Sequence, residues 1–381
     1  MAYQILLPPL PPTPPNCSTA SEERNCSFSN LSTSAAYGHE DECDSNKTLF
    51  VIMAIAYCAV ALLGVLGNLA LVLAIVRQRE MHNVTNVLIA NLSLSDLLMS
   101  LVCLPFTFIY TFMDHWVFGE FLCKLNGLVQ CCSITVSIFS LVLIAMERHQ
   151  LILHPRGWRP TTHHACMGIA AIWTLGLATA TPFLLFSVVT DIPLVQLPPE
   201  MSEQFKGKVV CIEMWPSTGF KLTYTTSMLF LQYITPLLFI FVCYYKIYIR
   251  LRRRHCMREG RQRSGEVRRI NIMLFSIVVA FAVCWLPLNV FNAIHDWYHE
   301  AVMNCTHNPL FSLCHLLAMA SAGVNPIFYG FLNRNFQQDI RGFPLCRLSR
   351  RRQQEEYDTV AMSTMHTEVS RTSFKLSSLD I

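Results

Sequence analysis

A single carboxylate, Asp96, stands inside the otherwise uncharged apolar run from Val84 to Met113. An ionised carboxyl in hydrocarbon is costly, so Asp96 must bind a cation, join a hydrogen-bond network or carry a proton. Asn68, Ser137, Ser321 and Asn325 also fall within apolar stretches and bring hydroxyl and amide groups suited to any of the three. Asp96, Ser137, Ser321 and Asn325 are accordingly a candidate sodium site. A second reactive pair, Glu147-Arg148, closes the third apolar stretch, where the acid can hold the arginine until a partner draws it away. Taken alone, the same pair also reads as charges snorkelling to a membrane surface. His315 reads as a packed or hydrogen-bonded histidine and not as a base. A glycine-rich phosphate loop, a nucleophile elbow and a His-Glu-x-x-His helix are all absent, and the sixteen cysteines include no Cys-x-x-Cys spacing. Enzymatic chemistry and a structural zinc site therefore both lack their residues.

The elements that must position these groups are membrane helices. The 381 residues are 52% hydrophobic and 14% charged, with mean hydropathy +0.37, too apolar for a soluble domain of this length. Seven apolar stretches, about Leu49 to Val76, Val84 to Met113, Leu122 to Ile152, Ala165 to Val189, Leu222 to Tyr248, Ile270 to Ile294 and Asn308 to Leu332, are each long enough to span a bilayer. An all-α bundle of seven transmembrane helices over residues 49–333 is the fold expected. The third stretch organises it. Leu125 to Met146 carries no charge, and Cys123 and Arg148 would lie roughly 37 Å apart on a helix, one at each membrane face. Gly127, Gln130, Ile134, Ser137, Leu141 and Ile144 share one stripe, whose polar members must face protein and not lipid. Pro105, Pro182, Pro236, Pro287 and Pro326 each remove a backbone donor within a span and favour kinks.

Charge sets the orientation. Arg77 and Arg79, Arg156 and Arg159, and nine arginines against two glutamates from Arg250 to Arg269 flank the same ends of the spans. By the positive-inside rule those ends are cytoplasmic and the amino terminus is outside. The other loops tend to be acidic, with Asp114, Glu120, Asp191, Glu200, Glu203, Glu213, Asp296 and Glu300. Residues 1–48 are too polar and proline-rich to fold alone and are expected to be a disordered extracellular tail. Four Asn-x-Ser/Thr acceptors at Asn16, Asn25, Asn30 and Asn46 suit glycosylation there; similar triplets at Asn83 and Asn91 are assigned no role. Beyond the last span, residues 334–345 are expected to form a short amphipathic helix on the membrane surface, with Cys346 a candidate palmitoylation site. Residues 346–381 form a cytoplasmic tail whose serines and threonines suit phosphorylation. Nothing points to nucleic acid.

The motifs then carry a resemblance. Gly67-Asn68, Leu92-Ser93-Leu94-Ser95-Asp96, Glu147-Arg148-His149, Trp173, Pro236, Cys284-Trp285-Leu286-Pro287 and Asn325-Pro326-Ile327-Phe328-Tyr329 occur in order, one set per span. The chain from about Leu49 to Cys346 resembles the rhodopsin-type (class A) G-protein-coupled receptors. Where that family usually has Asp-Arg-Tyr this chain has Glu-Arg-His. Met81 to Asn86, Tyr110 to Glu120, Glu147 to Ile152, Phe291 to Trp297 and Ala361 to Thr367 resemble the neuropeptide Y receptors, especially their type 1 branch; His295, Gly323 and the proline-rich start depart from that branch.

The resemblance implies a plasma-membrane receptor for neuropeptide Y, peptide YY and pancreatic polypeptide, peptides ending in arginine and an amidated tyrosine. It implies an arginine partner in Asp296, which would otherwise read as a solvated loop acid, and a pocket from Gln130, Asn292, Gln232, Thr107, Tyr110, Phe291 and His315, with Asp114 at the rim. It implies disulfides Cys123–Cys211 and Cys43–Cys305; Cys17 and Cys26 are left without an assigned partner. It further implies a switch through Glu147, Arg148, Tyr244, Trp285, Pro287, Pro326 and Tyr329, coupling to an inhibitory Gi/o protein, and arrestin and receptor kinases acting on the tail. The arginine run from Arg250 to Arg269 suits either anionic lipid or a G protein. No cofactor is expected beyond the candidate sodium ion. A receptor for another peptide ending in arginine and an aromatic amide is the alternative. A transporter would show internal repeats that are not found, and an opsin would need a lysine in the seventh span, which has none.

Overall fold

The computed structural model describes residues 47–77, 83–113, 115–192, 206–256, 261–297 and 307–332. Seven helices long and apolar enough to cross a membrane form one bundle: α1 (Lys47–Arg77), α2 (Val84–Met113), α3 (Gly119–Leu153), α4 (Thr162–Phe186), α5 (Thr218–Leu229 continuing through Thr235–Cys256), α6 (Arg261–Trp297) and α7 (His307–Leu332). The α3 core is 67% buried within the protein, against 11% for α1, which makes α3 the axis of the bundle. Its stripe residues Gly127, Gln130, Ser137, Leu141 and Ile144 are all buried. On α1 the exposed Ile55, Leu62 and Leu66 suit a lipid-facing surface.

Three boundaries differ from the sequence reading. α5 and α6 run beyond the expected Tyr248 and Ile270 into the arginine-rich segment, because arginine and glutamine are good helix formers even where hydropathy has ended. α4 stops at Phe186, short of the expected Val189. There Ser187-Val188-Val189-Thr190, rich in β-branched residues, turns extended as β1 (Ser187–Thr190) and pairs antiparallel with β2 (Val210–Glu213). The Cys123–Cys211 disulfide fixes this hairpin to the top of α3. Tyr110 adds a hydrogen bond to the Cys211 carbonyl, 3.3 Å, and the Trp116 amide one to the Val209 carbonyl, 2.7 Å.

Two of the five prolines share a local device. Pro105 and Pro236 each follow a five-residue π segment, Met99–Cys103 and Phe230–Ile234. A proline ring collides with the carbonyl four residues back, here that of Leu101 or Gln232. Widening the preceding turn moves that carbonyl aside, which is why π turns occur where the helical ladder is interrupted. Pro182, Pro287 and Pro326 lie within α-helix.

Helices surrounded by lipid gain little from hydrophobic association and are joined instead by close packing and polar contacts. Gly67 lets α1 approach α7, since a Cβ there would lie 2.6 Å from the Pro326 ring. Beside it the Asn68 amide donates to the Gly64 and Ala322 carbonyls at 2.8 and 2.7 Å. The triplets without an assigned role prove structural. Asn83 caps α2 by accepting from the Asn86 amide. Asn91 is buried, donates to Ser140 and accepts from the Trp173 indole, both at 2.9 Å, so one side chain joins α2, α3 and α4. Asn91→Ala takes the acceptor from the Trp173 indole and a donor from buried Ser140, and is expected to destabilise the detergent-solubilised protein by about 1–3 kcal/mol. An unchanged melting midpoint would count against that role.

Candidate functional site

The arginine-bearing end of α3 is held shut. Arg148 Nε lies 3.1 Å from Glu147 Oε2. Thr85, on the first turn of α2, donates to both carboxylate oxygens at 2.9 Å and accepts a hydrogen bond from the Arg148 guanidinium. Glu147 is buried and most of Arg148 is shielded, so the three groups form a closed set across α2 and α3. The Tyr329 hydroxyl, on α7, donates to Asn86 Oδ1 at 3.2 Å. Tyr244, on α5, is buried and its hydroxyl has no partner among the described residues. Trp285, midway along α6, donates from its indole to Ser321 at 3.1 Å.

Asp96 lies deeper, between α2, α3 and α7. Ser137 donates to its Oδ1 at 3.3 Å, the Asn325 amide donates to its Oδ2, and Ser95 and Ser137 share a hydrogen bond of 2.8 Å. Of the three sequence alternatives, the geometry displays the hydrogen-bond network. Ser321, grouped with Asp96 on sequence grounds, accepts the hydrogen bond from Trp285. The carboxylate and hydroxyl oxygens of Asp96, Ser137 and Ser95 are nonetheless the hard donors that a small cation prefers.

At the opposite end, a cleft between α3, α5 and α6 gathers side-chain amides. Its floor is a hollow of about 60 Å³ lined by Gln130, Gln232, Asn289, Asn292 and Trp285. A second hollow of about 40 Å³ shares Gln232, Asn289 and Asn292 and rises to Asp296. Gln232 donates to Thr135 at 2.8 Å. Asp296 is not a solvated loop acid: its side chain is only 9% exposed, Lys221 of α5 lies 3.0 Å away and His295 3.5 Å away.

The structure divides the sequence-derived pocket residues. Gln130, Gln232, Asn292 and Asp296 line this cleft. Thr107, Tyr110, Phe291 and His315 are not among the residues lining these two hollows; Thr107 and Tyr110 stand on α2, Phe291 on α6 and His315 on α7. Thr107 accepts from Asn126 at 3.4 Å, Tyr110 reaches Cys211, His315 pairs with the Tyr57 hydroxyl at 3.1 Å, and Phe291 stacks with His295 and packs on Phe311. Asp114, Cys43, Cys305, Cys346, the acceptors Asn16, Asn25, Asn30 and Asn46, Cys17, Cys26, the helix at 334–345 and the tail lie outside the described residues. Sequence reasoning missed Thr85 and Lys221. Nothing in residue type distinguished Thr85, whereas a lysine at the mouth of a bundle with acidic outer loops was a signal for Lys221.

Comparison with known proteins agrees with this architecture. The family model described as "7 transmembrane receptor (rhodopsin family)" matches residues 67–329. The chain is 54% identical over 354 residues to neuropeptide Y receptor type 1 of Xenopus laevis, covering 92% of this chain and 95% of that one. It is 49% identical to neuropeptide Y receptor type 6 of Oryctolagus cuniculus, covering 91% and 94%, and 46% identical to neuropeptide Y receptor type 4-2 of Homo sapiens, covering 90% and 91%. With seven spans, a closed Glu147-Arg148 end and an amide-lined cleft opposite, the chain belongs to the rhodopsin-family seven-transmembrane receptors and, within them, to the neuropeptide Y receptor family: a multi-pass plasma-membrane receptor and not an enzyme.

Proposed function

We propose that this receptor binds amidated peptides of the neuropeptide Y, peptide YY and pancreatic polypeptide group and passes that binding to an inhibitory Gi/o protein, lowering adenylyl cyclase activity. The observation that carries the reading is the cleft with a shielded carboxylate, Asp296, at its mouth and the amides of Gln130, Gln232, Asn289 and Asn292 below. A carboxylate removed from water is the natural seat for a peptide arginine. Side-chain amides both donate and accept, which suits a terminal carboxamide. The floor hollow is small, about 60 Å³, and an aromatic amide would enter it as the helices around it part. That parting links ligand to switch: Trp285 forms part of the floor, and Pro287 lies two residues further along α6. Agonist would favour the parted arrangement as a population shift, with α6 swinging about Pro287 and Arg148 released from Glu147 and Thr85.

The test is a panel of amidated peptides on cells expressing the chain, with inhibition of adenylyl cyclase as readout. A response to this peptide group that pertussis toxin abolishes is expected. With surface expression verified, silence toward all of them overturns the ligand assignment, and a response only to other peptides ending in arginine and an aromatic amide redirects it.

We extend the proposal to a sodium ion held by Asp96 and Ser137 in the resting state. Asp96→Asn removes the charge the ion requires and is expected to abolish any weakening of agonist binding by sodium relative to a bulky organic cation at equal ionic strength. Retained sodium sensitivity in that variant would remove Asp96 from the site.

A further inference from the structure

Between the arginine-rich ends of α5 and α6 runs a groove of about 490 Å³ that the peptide reading does not use. Its walls are apolar and open outward: Phe241 and Tyr248 on α5, and Ile272 and Phe275 on α6, are each 40–60% exposed. They lie on surfaces that the bundle turns to lipid. Arg252 and Arg268 stand at one end, and neither has an acidic partner among the described residues. Tyr244 and Asn271 line the inner side, with two buried polar atoms behind it, the Tyr244 hydroxyl and Asn271 Oδ1. Both residues are more than nine-tenths buried, and both atoms lack a hydrogen-bond partner among the described residues. From Phe241 to Arg252 the groove follows eleven residues of helix, about 16 Å, close to half of a hydrocarbon core of ~30 Å.

Those features define an amphiphile and its direction. The charged end is the end the arginine distribution assigns to the cytoplasm, where the leaflet is rich in anionic lipid. A soluble anion would leave the aromatic walls unused, and an uncharged sterol would leave both guanidinium groups unmatched. We propose that the groove seats one anionic glycerophospholipid of the cytoplasmic leaflet, its headgroup at Arg252 and Arg268 and an acyl chain along Phe241, Tyr248 and Phe275. The Tyr244 hydroxyl is the donor placed to reach a glycerol or ester oxygen, which can only accept. This inference stands apart from the identity of the peptide ligand.

The test is native mass spectrometry of the purified full-length receptor with phosphatidylserine and phosphatidylcholine of identical chains. Preferential retention of one phosphatidylserine is expected. Arg252→Gln with Arg268→Gln is expected to lower that retention about ten- to thirtyfold, at roughly three- to fivefold per arginine. Arg250→Gln with Arg253→Gln removes the same charge outside the groove and is expected to change retention less than about twofold. Ile272→Trp fills the groove without altering charge and is expected to expel both lipids. Equal losses in the two double variants would reduce the effect to diffuse attraction and overturn the site. So would undiminished lipid on the Ile272→Trp receptor, absence of headgroup preference in the wild type, or displacement of the lipid by soluble glycerophosphoserine at equal concentration.

Discussion

Asp296→Ala is expected to weaken binding of an amidated peptide by roughly 2–5 kcal/mol, the range for truncating one member of a desolvated charge pair. Burial makes the effect large: the Asp296 side chain is 9% exposed, so its partner cation is shielded from competing water. The site also contains its own rival for the peptide. Lys221, 3.0 Å from the carboxylate and 19% exposed, must yield before an arginine can take its place, so measured affinity is the difference between two pairings. Arginine has the advantage in that exchange because its planar fork meets both carboxylate oxygens, whereas lysine is a point charge. Lys221→Ala is therefore expected to move affinity in the opposite direction, tightening it by up to about 1 kcal/mol, the scale of a partly exposed pair. Saturation binding on both variants checks the pair of expectations. If Lys221→Ala weakens binding as much as Asp296→Ala does, the ion pair is scaffolding for the mouth of the cleft and not a contact that the ligand replaces.

Glu147→Ala is expected to raise signalling without agonist. The carboxylate is the hub of the closed set, since it holds Arg148 by an ion pair and Thr85 by one hydroxyl hydrogen bond shared between its two oxygens. A hydrogen bond to a charged group contributes about 1.5–3 kcal/mol, so losing the hub should shift the resting-to-active ratio roughly tenfold to a hundredfold. Thr85→Val keeps the ion pair and removes only the hydroxyl, so a smaller increase in the same direction is expected. Basal G-protein nucleotide exchange in membranes, normalised to receptor number, reads both. Basal exchange left at the wild-type level by Glu147→Ala would show that Arg148 is held by other means.

Much of this was legible in the sequence because bilayer physics constrains it. Runs of twenty or more apolar residues gave seven helices, and the shared stripe on α3 from Gly127 to Ile144 marked it as the centre. Apolar length could not locate features that depend on local pairing or on contacts between distant residues. The early end of α4 follows from strand pairing of Ser187 with Glu213, twenty-six positions away in the chain. The π segments before Pro105 and Pro236 resolve a clash that the sequence announces only as a proline. The candidate site shows the same division. Asp96 was conspicuous as a lone charge in an apolar span, and Ser137 followed from helical spacing on α3. Thr85 was invisible because its role exists only where α2 meets α3. Ser321 was grouped with Asp96 by polarity, and its hydrogen bond from the Trp285 indole was not legible in the sequence. Asp296 acquired its meaning from the resemblance, and its burial against Lys221 then gave that meaning a physical basis.

The most direct measurement is a double-mutant cycle across the mouth of the cleft. Wild-type receptor and Asp296→Ala are each titrated with an amidated peptide carrying its C-terminal arginine, and with the same peptide carrying citrulline there. If the carboxylate and the arginine meet, each single change costs affinity and the two together cost little more than either, a coupling of at least about 1.5 kcal/mol. Losses that simply add would contradict the pairing.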